Sequence, residues 1–257
     1  MLSSLSLLLV TWSLFQAPAQ RVANNLLPDS PGQPHATPDK PPITPELRGD
    51  IFMARKMYRE AIEAYKLAPS DSAVVLNKTG IAHQQLLELD QARHYYQLAV
   101  KIDPKYAEAI NNIGTIYYAN KSYRRAITQY EKALQITPEA ASIVSNLGTA
   151  YFARGKYKEA IECVQRALEL DPDVYENQST VGVLLQDRSV QDRGKMNYYL
   201  AKAYASKGMT DRALQSIRKS LEEGFKDREK YMKEPEFAAL RDNAEFKKIM
   251  ATEQKVL

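Results

Sequence analysis

The chain has 257 residues, a formal net charge of +4 and one cysteine. A single cysteine excludes an internal disulfide, and the nearly balanced charge differs from the strongly basic surface of a nucleic-acid binder. The length allows one or two domains, so the elements along the chain decide the architecture.

Residues 1–19 are apolar, contain no charged side chain and end in Ala17-Pro18-Ala19, which has the small-residue pattern of a signal-peptide cleavage site. Because the apolar run is short for a membrane span, we predict a signal peptide with cleavage after Ala19. The mature protein is then expected to be periplasmic or secreted, without a membrane span. No lysine or arginine precedes the run, so an uncleaved membrane anchor and an apolar start without a targeting role are the alternatives.

Residues 20–45 are rich in proline and poor in aromatic residues, which predicts an extended, disordered linker without a core. The alternative is a proline-rich ligand for another module. Residues 46–70 have apolar residues at helical spacing and predict two helices, with the sequences LRGDIFMARK and YREAIEAYKLA. These two helices form an imperfect first copy of the unit that repeats in residues 72–172.

Residues 72–172 carry one pattern three times, with a period of 34 residues. Each unit has a glycine, an alanine and a proline at constant distances: Gly80, Ala92 and Pro104; Gly114, Ala126 and Pro138; Gly148, Ala160 and Pro172. The apolar spacing predicts two helices per unit, and the proline ends the second helix. A glycine inside a helix costs about 1 kcal/mol relative to alanine, so we expect the second helix to approach there, with the alanines facing the glycines.

The pattern breaks after Pro172, and residues 173–195 are irregular. The charged stretch QDRSVQDRGK interrupts the unit before its second helix. We predict a last repeat over residues 195–223 and an extra helix over residues 174–187. In the alternative, a helix over residues 195–207 pairs with residues 174–187.

The order of glycine, aromatic residue, alanine and proline over 34 residues resembles the tetratricopeptide repeat. The resemblance covers residues 46–223 as about five repeats. It implies an all-α, right-handed solenoid of stacked helix-turn-helix units. It also implies a scaffold that binds a protein or an extended peptide.

The tail, residues 224–257, predicts short helices that cap the end of the stack. Its apolar residues Phe237, Leu240, Phe246 and Ile249 recur at near-helical spacing. The sequence EPEFAALR in this segment resembles the ending of many bacterial tetratricopeptide proteins. That resemblance implies a helical cap and no particular activity.

In the tetratricopeptide family the first helix of each unit lines a concave inner surface. Transfer of that register gives the candidate groove residues Asn77, Asn111, Asn112, Tyr118, Ser145, Asn146 and Phe152. Amide side chains can donate to and accept from a peptide backbone, and aromatic rings supply contact area. Alternatively, the asparagines are ordinary residues of such a repeat, and Tyr118 and Phe152 pack against neighbouring units.

The sequence contains no motif of a nucleophile elbow, a metalloprotease, a phosphate-binding loop or a dithiol site. We therefore predict no enzymatic activity, no cofactor, no metal site, no small-molecule substrate and no nucleic-acid partner. The predicted function is a protein-interaction scaffold that uses its concave groove in the periplasm or cell envelope. The alternative is a structural subunit of an envelope assembly, in secretion, pilus or outer-membrane biogenesis, that acts through its convex face.

Overall fold

A computed structural model describes residues 42–175 and 190–251 of the chain. Within these ranges the backbone forms twelve α-helices and one 3₁₀ helix, and it contains no strand. The helices are α1 Pro45–Ala54, α2 Tyr58–Lys66, α3 Ala73–Gln85, α4 Leu89–Ile102, α5 Ala107–Ala119, α6 Tyr123–Ile136, α7 Ala141–Ala153, α8 Tyr157–Leu170, α9 Val190–Ser206, α10 Thr210–Glu222, α11 Glu229–Lys233, the 3₁₀ helix Pro235–Leu240 and α12 Ala244–Ala251. The predicted signal peptide, most of the predicted linker and residues 176–189 of the irregular segment lie outside the described residues.

Consecutive helices pack as pairs: α1 with α2, α3 with α4, α5 with α6, α7 with α8 and α9 with α10. The second helix of each of the first three pairs packs against the first helix of the next pair, as α8 also does against α9. A single pair cannot bury its own apolar face, so stacking is what forms the core. The predicted all-α solenoid of stacked helix pairs is confirmed.

The turns inside the pairs share one backbone geometry. Lys56, Leu87 and Lys121 adopt positive φ angles of 59°, 61° and 56°, and Gly155 and Gly208 adopt 75° and 71° in the corresponding turns. Only glycine adopts this left-handed conformation without a steric cost. The lysine and leucine turns therefore carry side chains at positions where the backbone alone favours glycine.

The helix ends confirm the predicted stop signals. The helices α4, α6 and α8 end at Ile102, Ile136 and Leu170, two residues before the three prolines of the repeat. At the amino end, Thr44 caps α1 by accepting a hydrogen bond from the Leu47 N–H at 3.2 Å. The helix thus begins at Pro45, at the last residue of the predicted linker.

The predicted partner of the repeat glycine is wrong in two of the three units. A Cβ on Gly80 would lie 2.5 Å from the Tyr96 ring, and one on Gly114 would lie 2.6 Å from the Tyr130 ring. The tyrosine ring, and not the alanine one turn before it, fills the space that the missing Cβ leaves. In the third unit a Cβ on Gly148 would lie 3.4 Å from the Ala160 carbonyl oxygen, so the prediction holds there in part.

The structure also corrects the interpretation of Gly194 as part of an interruption. Helix α9 begins at Val190 and therefore includes Gly194. A Cβ at this residue would lie 2.7 Å from the Glu223 carbonyl oxygen, and the Gly194 carbonyl oxygen accepts a hydrogen bond from Ser220 Oγ at 2.6 Å. Gly194 is thus a close-packing position between α9 and the end of α10, which form the last pair.

The C-terminal helices pack on this last pair and cover its apolar side, through contacts of the 3₁₀ helix with α9 and of α12 with α10. Phe237, Leu240, Phe246 and Ile249 are all buried, as the spacing of the tail predicts. The Tyr198 hydroxyl of α9 donates to Glu234 at 2.5 Å. None of the described helices combines the length and the apolar composition that a bilayer-spanning helix needs.

Candidate partner-binding site

Asparagine side chains link the first helices of three successive units. Asn112 Nδ2 of α5 donates to Asn77 Oδ1 of α3 at 3.0 Å. Asn146 Nδ2 of α7 donates to Asn111 Oδ1 of α5, also at 3.0 Å. Each bond therefore fixes the register of one unit against the next.

One further bond joins these links into a chain of amides, the amide relay of Asn77, Asn111, Asn112 and Asn146, and another extends the relay to a carboxylate. Within α5, Asn111 Nδ2 donates to Asn112 Oδ1 at 3.3 Å. At the amino-terminal end, Asn77 Nδ2 donates to Glu108 Oε1 at 3.0 Å. Because Asn77, Asn111 and Asn112 each both donate and accept, the relay satisfies polar groups whose burial without a partner would cost about 1–3 kcal/mol each. The relay ends at Asn146, whose buried Oδ1 has no hydrogen-bond partner in the described residues.

Between the first two units, an ion pair takes the place of the hydrogen bond between asparagine side chains. Lys78 occupies the position that Asn112 holds one repeat later, and its Nζ lies 2.7 Å from Glu46 and 2.8 Å from Asp50 of α1. Burial by itself would lower the pKa of Lys78, but the hydrogen bonds to Asp50 and Glu46 outweigh it and raise that pKa. The Tyr65 hydroxyl also donates to Asp50, at 2.7 Å, so one carboxylate ties α1 to both α2 and α3.

The structure buries most of the predicted groove residues. Asn77, Asn111, Tyr118, Ser145, Asn146 and Phe152 are each at most 7% exposed, and Asn112 is half-buried. The Tyr118 ring packs on Tyr123 at 5.3 Å between centroids, and the Phe152 ring packs on Tyr157 at 5.4 Å. In the free chain these side chains thus support the stack, and their contact with a ligand stays a prediction.

A cleft that the sequence analysis did not identify opens between α1, α2 and the end of α3. This N-terminal cleft has a volume of about 640 Å³. Its apolar lining residues are Phe52, Ile62, Ala64, Leu67 and Leu86. Its charged lining residues are three cations and three carboxylates: Arg48, Arg59, Lys66, Glu60, Glu63 and Glu88.

His83 also lines the N-terminal cleft. Its Nδ1 lies 2.6 Å from Glu88 Oε2, and its ring stacks on Tyr95 with the centroids 5.1 Å apart. These two contacts hold the ring in place beside Leu86. The cleft residues come from three helices, and each of them is a common residue type at its position in a helix. The sequence alone therefore offers no signal that would group them.

Within the described residues, the remaining reactive groups form no cluster that could hold a metal ion. No three His, Cys, Asp or Glu side chains there lie close enough together to hold a metal ion. The Cys163 thiol is partly buried, and burial raises its pKa to about 11. A thiol with so high a pKa is a poor nucleophile at neutral pH.

Comparisons with known proteins agree with the repeat architecture. Two family descriptions named "Tetratricopeptide repeat" match residues 105–173 and 75–106. A curated relative, the uncharacterized protein ycf37 of Guillardia theta, is 31% identical over 77 residues, which are 27% of this chain. The match spans 43% of that relative's length.

Solved structures of MamA are similar to this chain at low sequence identity. A crystal structure of MamA is 22% identical, with a TM-score of 0.48, and the match covers 68% of this chain and 93% of that one. MamA 41-end from Desulfovibrio magneticus RS-1 is 21% identical with a TM-score of 0.48, and the match covers 68% and 89%. From the family matches and the helix pairs together, residues 75–173 consist of tetratricopeptide repeats.

Proposed function

We propose that this protein is a non-enzymatic scaffold that acts outside the cytoplasm and binds an apolar segment of a protein partner in its N-terminal cleft. Stacked helical repeats build extended surfaces for partners, and large exposed apolar patches mark such interaction sites. The charged lining of the cleft is balanced, with three cations and three carboxylates. The apolar lining residues therefore supply the affinity, and the charges around them orient the partner.

The observation that carries the proposal is the exposure of two leucines, one that lines the cleft and one that is next in sequence to a lining residue. Leu67 is 72% exposed, and Leu87, which follows the lining residue Leu86, is 81% exposed. Leu87 also adopts the left-handed backbone conformation, with φ at 61°, which costs a non-glycine residue about 1–2 kcal/mol. Neither burial nor backbone geometry explains a leucine here in the free chain, whereas contact with an apolar partner does.

The Lys78 ion pair and the amide relay hold the first helices of successive units in fixed positions. Bonds between units hold α3, α5 and α7 in register, and the Lys78 pair ties α1 to α3. A preorganised surface loses less conformational entropy when a partner binds. Half-buried Asn112 leaves part of the predicted concave groove accessible, so we extend the proposed contact surface along the first helices to this residue.

The test is affinity capture from cell-envelope and cytosolic fractions, with quantitative mass spectrometry. The variant Leu67→Glu/Leu87→Glu should lose a partner that the wild type captures. The matched control is Ile102→Glu/Met232→Glu, since both of these residues are 50% exposed but lie outside the cleft. Thermal melts establish that all three proteins are folded. A partner that the cleft variant and the control retain equally would contradict docking in the cleft.

The groove component has its own variant. Asn112→Ala removes a half-buried amide that can reach a ligand, and it should weaken capture of the same partner. Asn146→Ala is the comparison, because this amide is fully buried and can act only through the stack. If both variants lose the partner only to the extent that they lose stability, the asparagines have no direct role.

The location is tested by the mass of the mature protein. We expect the chain to start at Gln20 and to be recovered from the periplasm, the medium or the envelope. An intact Met1 start in the cytosolic fraction would contradict the proposed location, and it would leave the binding proposal to the capture experiment.

A further inference from the structure

A second cleft lies between two neighbouring repeats, at the turns that connect the first and the second helix of each repeat. This basic cleft has a volume of about 450 Å³ and is lined by Lys121, Ser122, Tyr123, Arg124, Arg125 and Arg154. The first five residues come from the turn before α6 and from its first helical turn, and Arg154 directly follows α7 of the next unit. The lining contains four cations and no carboxylate.

The four cations of the basic cleft are exposed and are not neutralised. Lys121, Arg124, Arg125 and Arg154 form no ion pair with any residue in the described parts of the chain, although Arg125 lies over the Tyr117 ring at 5.8 Å. The next turn differs, because Lys156 there pairs with Glu159 at 3.0 Å. Four like charges around one cleft repel each other, and an anionic ligand removes that repulsion.

The backbone at the basic cleft adds to its positive potential. Helix α6 starts without a side-chain cap and has no acidic residue in its first turn. The corresponding second helices α4 and α8 have Asp90 and Glu159 at this place. A carboxylate near the first turn of a helix is stabilising because the N-terminal end carries partial positive charge, so α6 lacks an interaction that its neighbours have.

The placement of the charges selects the kind of ligand. Because the cations come from two successive repeats, a ligand that meets all of them must extend along the stack, as a chain does and a single small ion does not. The basic region is also short. The preceding turn carries Glu88 and Asp90, and on the turn between α9 and α10 Lys207 and Arg212 are paired with Glu169 and Asp173. A nucleic acid needs a longer track of cations and more stacking rings than this.

We propose that the basic cleft binds a run of aspartate and glutamate residues in a partner polypeptide. An arginine guanidinium donates two parallel hydrogen bonds to a carboxylate, and the Ser122 hydroxyl and the first-turn N–H groups of α6 can donate to further carboxylate oxygens. The basic cleft shares no residue with the N-terminal cleft. The failure of one proposal therefore leaves the other standing.

The experiment measures fluorescence anisotropy of a labelled octaglutamate peptide with the full chain, and octaglutamine is the uncharged comparison. We expect the wild type to bind octaglutamate, more weakly as salt is raised. The variant Arg124→Glu/Arg125→Glu/Arg154→Glu should bind at least about tenfold more weakly. The control Lys101→Glu/Lys105→Glu/Lys132→Glu makes the same change in net charge at exposed residues outside the cleft and should bind like the wild type.

Three outcomes would overturn the proposal. The first is no binding of octaglutamate by the wild type, and the second is an equal loss in the cleft variant and the control, which would reduce the effect to net charge. The third is displacement of the peptide by a single-stranded oligonucleotide of equal charge at much lower concentration, which would assign the cleft to nucleic acid. If the triple variant does not fold, Arg124→Gln/Arg154→Gln replaces it, with Lys101→Gln/Lys132→Gln as its control. Binding of octaglutamate by this double cleft variant as tightly as by the wild type would also overturn the proposal.

Discussion

The helix pairs of this solenoid close in two different ways at one position of the repeat. In three pairs a glycine in the first helix is followed, 16 residues later, by a tyrosine in the second helix. In the other two pairs the residue at that second position is a smaller aliphatic one. The pairs are Gly49 with Tyr65, Gly80 with Tyr96, Gly114 with Tyr130, Gly148 with Val164 and Ala201 with Ile217, always separated by 16 residues. Both residues of the last pair are fully buried, although the first of them has a Cβ.

The difference shows what the glycine is for. In the tyrosine pairs the nearest atoms to an added Cβ are those of the aromatic ring. At Gly148, where valine replaces tyrosine, the nearest atom is Cys163 Cβ at 2.9 Å. In the last pair an alanine fits opposite isoleucine. The ring, and not the approach of the two backbones, makes glycine necessary in the earlier units.

A double-mutant cycle at Gly114 and Tyr130 tests this comparison most directly. Gly114→Ala should lower the free energy of unfolding by about 2 kcal/mol, because the new Cβ overlaps a ring that has no space to move. Tyr130→Ile should cost about 3 kcal/mol, through the lost ring and the cavity that it leaves. Together they recreate the alanine–isoleucine combination of the last pair, so the double variant should cost at least about 1 kcal/mol less than the sum. Chemical denaturation measures all three values.

The mirror-image control is Ala201→Gly in the last pair. No ring needs the space there, so this change should only lose helix propensity, at about 1 kcal/mol. Strictly additive effects at Gly114 and Tyr130, or a stabilised Ala201→Gly variant, would mean that the ring does not decide the identity of the facing residue.

The second prediction compares the contributions of contacts between units and contacts within units to the free energy of unfolding. Asn111→Leu keeps the approximate volume of the side chain but breaks the amide relay at its centre. It removes the acceptor of Asn146 Nδ2 and the donor to Asn112 Oδ1. Burying groups without partners should cost about 2 kcal/mol. Asn112→Leu, at a half-buried position, should cost less, since water can replace the lost bonds. Equal stability of wild type and Asn111→Leu would show that the relay does not hold the units together.

The repeat period made the architecture predictable. It did not predict which side chains contact each other across the interface between two helices. Spacing along the chain fixes which residues share a helix face, so the glycines, the terminal prolines and the apolar cap residues could be placed correctly. It does not say how far a side chain reaches across a helix interface. For that reason the spacing predicts Ala92 and Ala126 opposite the glycines, where the rings of Tyr96 and Tyr130 lie. For the same reason the sequence around Gly194 predicts a break, where the structure has a close contact.

The candidate site shows a second limit of sequence reasoning. The register located four asparagines on first helices, but an amide has the same appearance in a sequence whether it serves a ligand or another amide. Only the structure shows that the asparagines bond to each other. Both clefts depend on side chains from separate elements, and their exposed leucines and unpaired arginines have no sequence pattern that distinguishes them.

The last prediction concerns chemical reactivity and not stability, in the helix pair where Val164 takes the place of the tyrosine. There Cys163 Cβ lies closest to the space beside Gly148, and burial raises the pKa of the thiol to about 11. The thiol is then protonated at pH 8, and its reactive thiolate becomes more abundant as the pH rises toward that value. Since a free cysteine has a pKa near 8.5, alkylation by iodoacetamide at pH 8 should be on the order of 100-fold slower in the folded chain than in the same chain in denaturant. The rate should still rise about tenfold for each pH unit up to pH 10. Alkylation at the rate of a free cysteine would show that the helices of this pair are packed less densely than those of the tyrosine-containing pairs. The two kinds of pair would then differ in packing density as well as in the size of the side chain that follows the glycine by 16 residues.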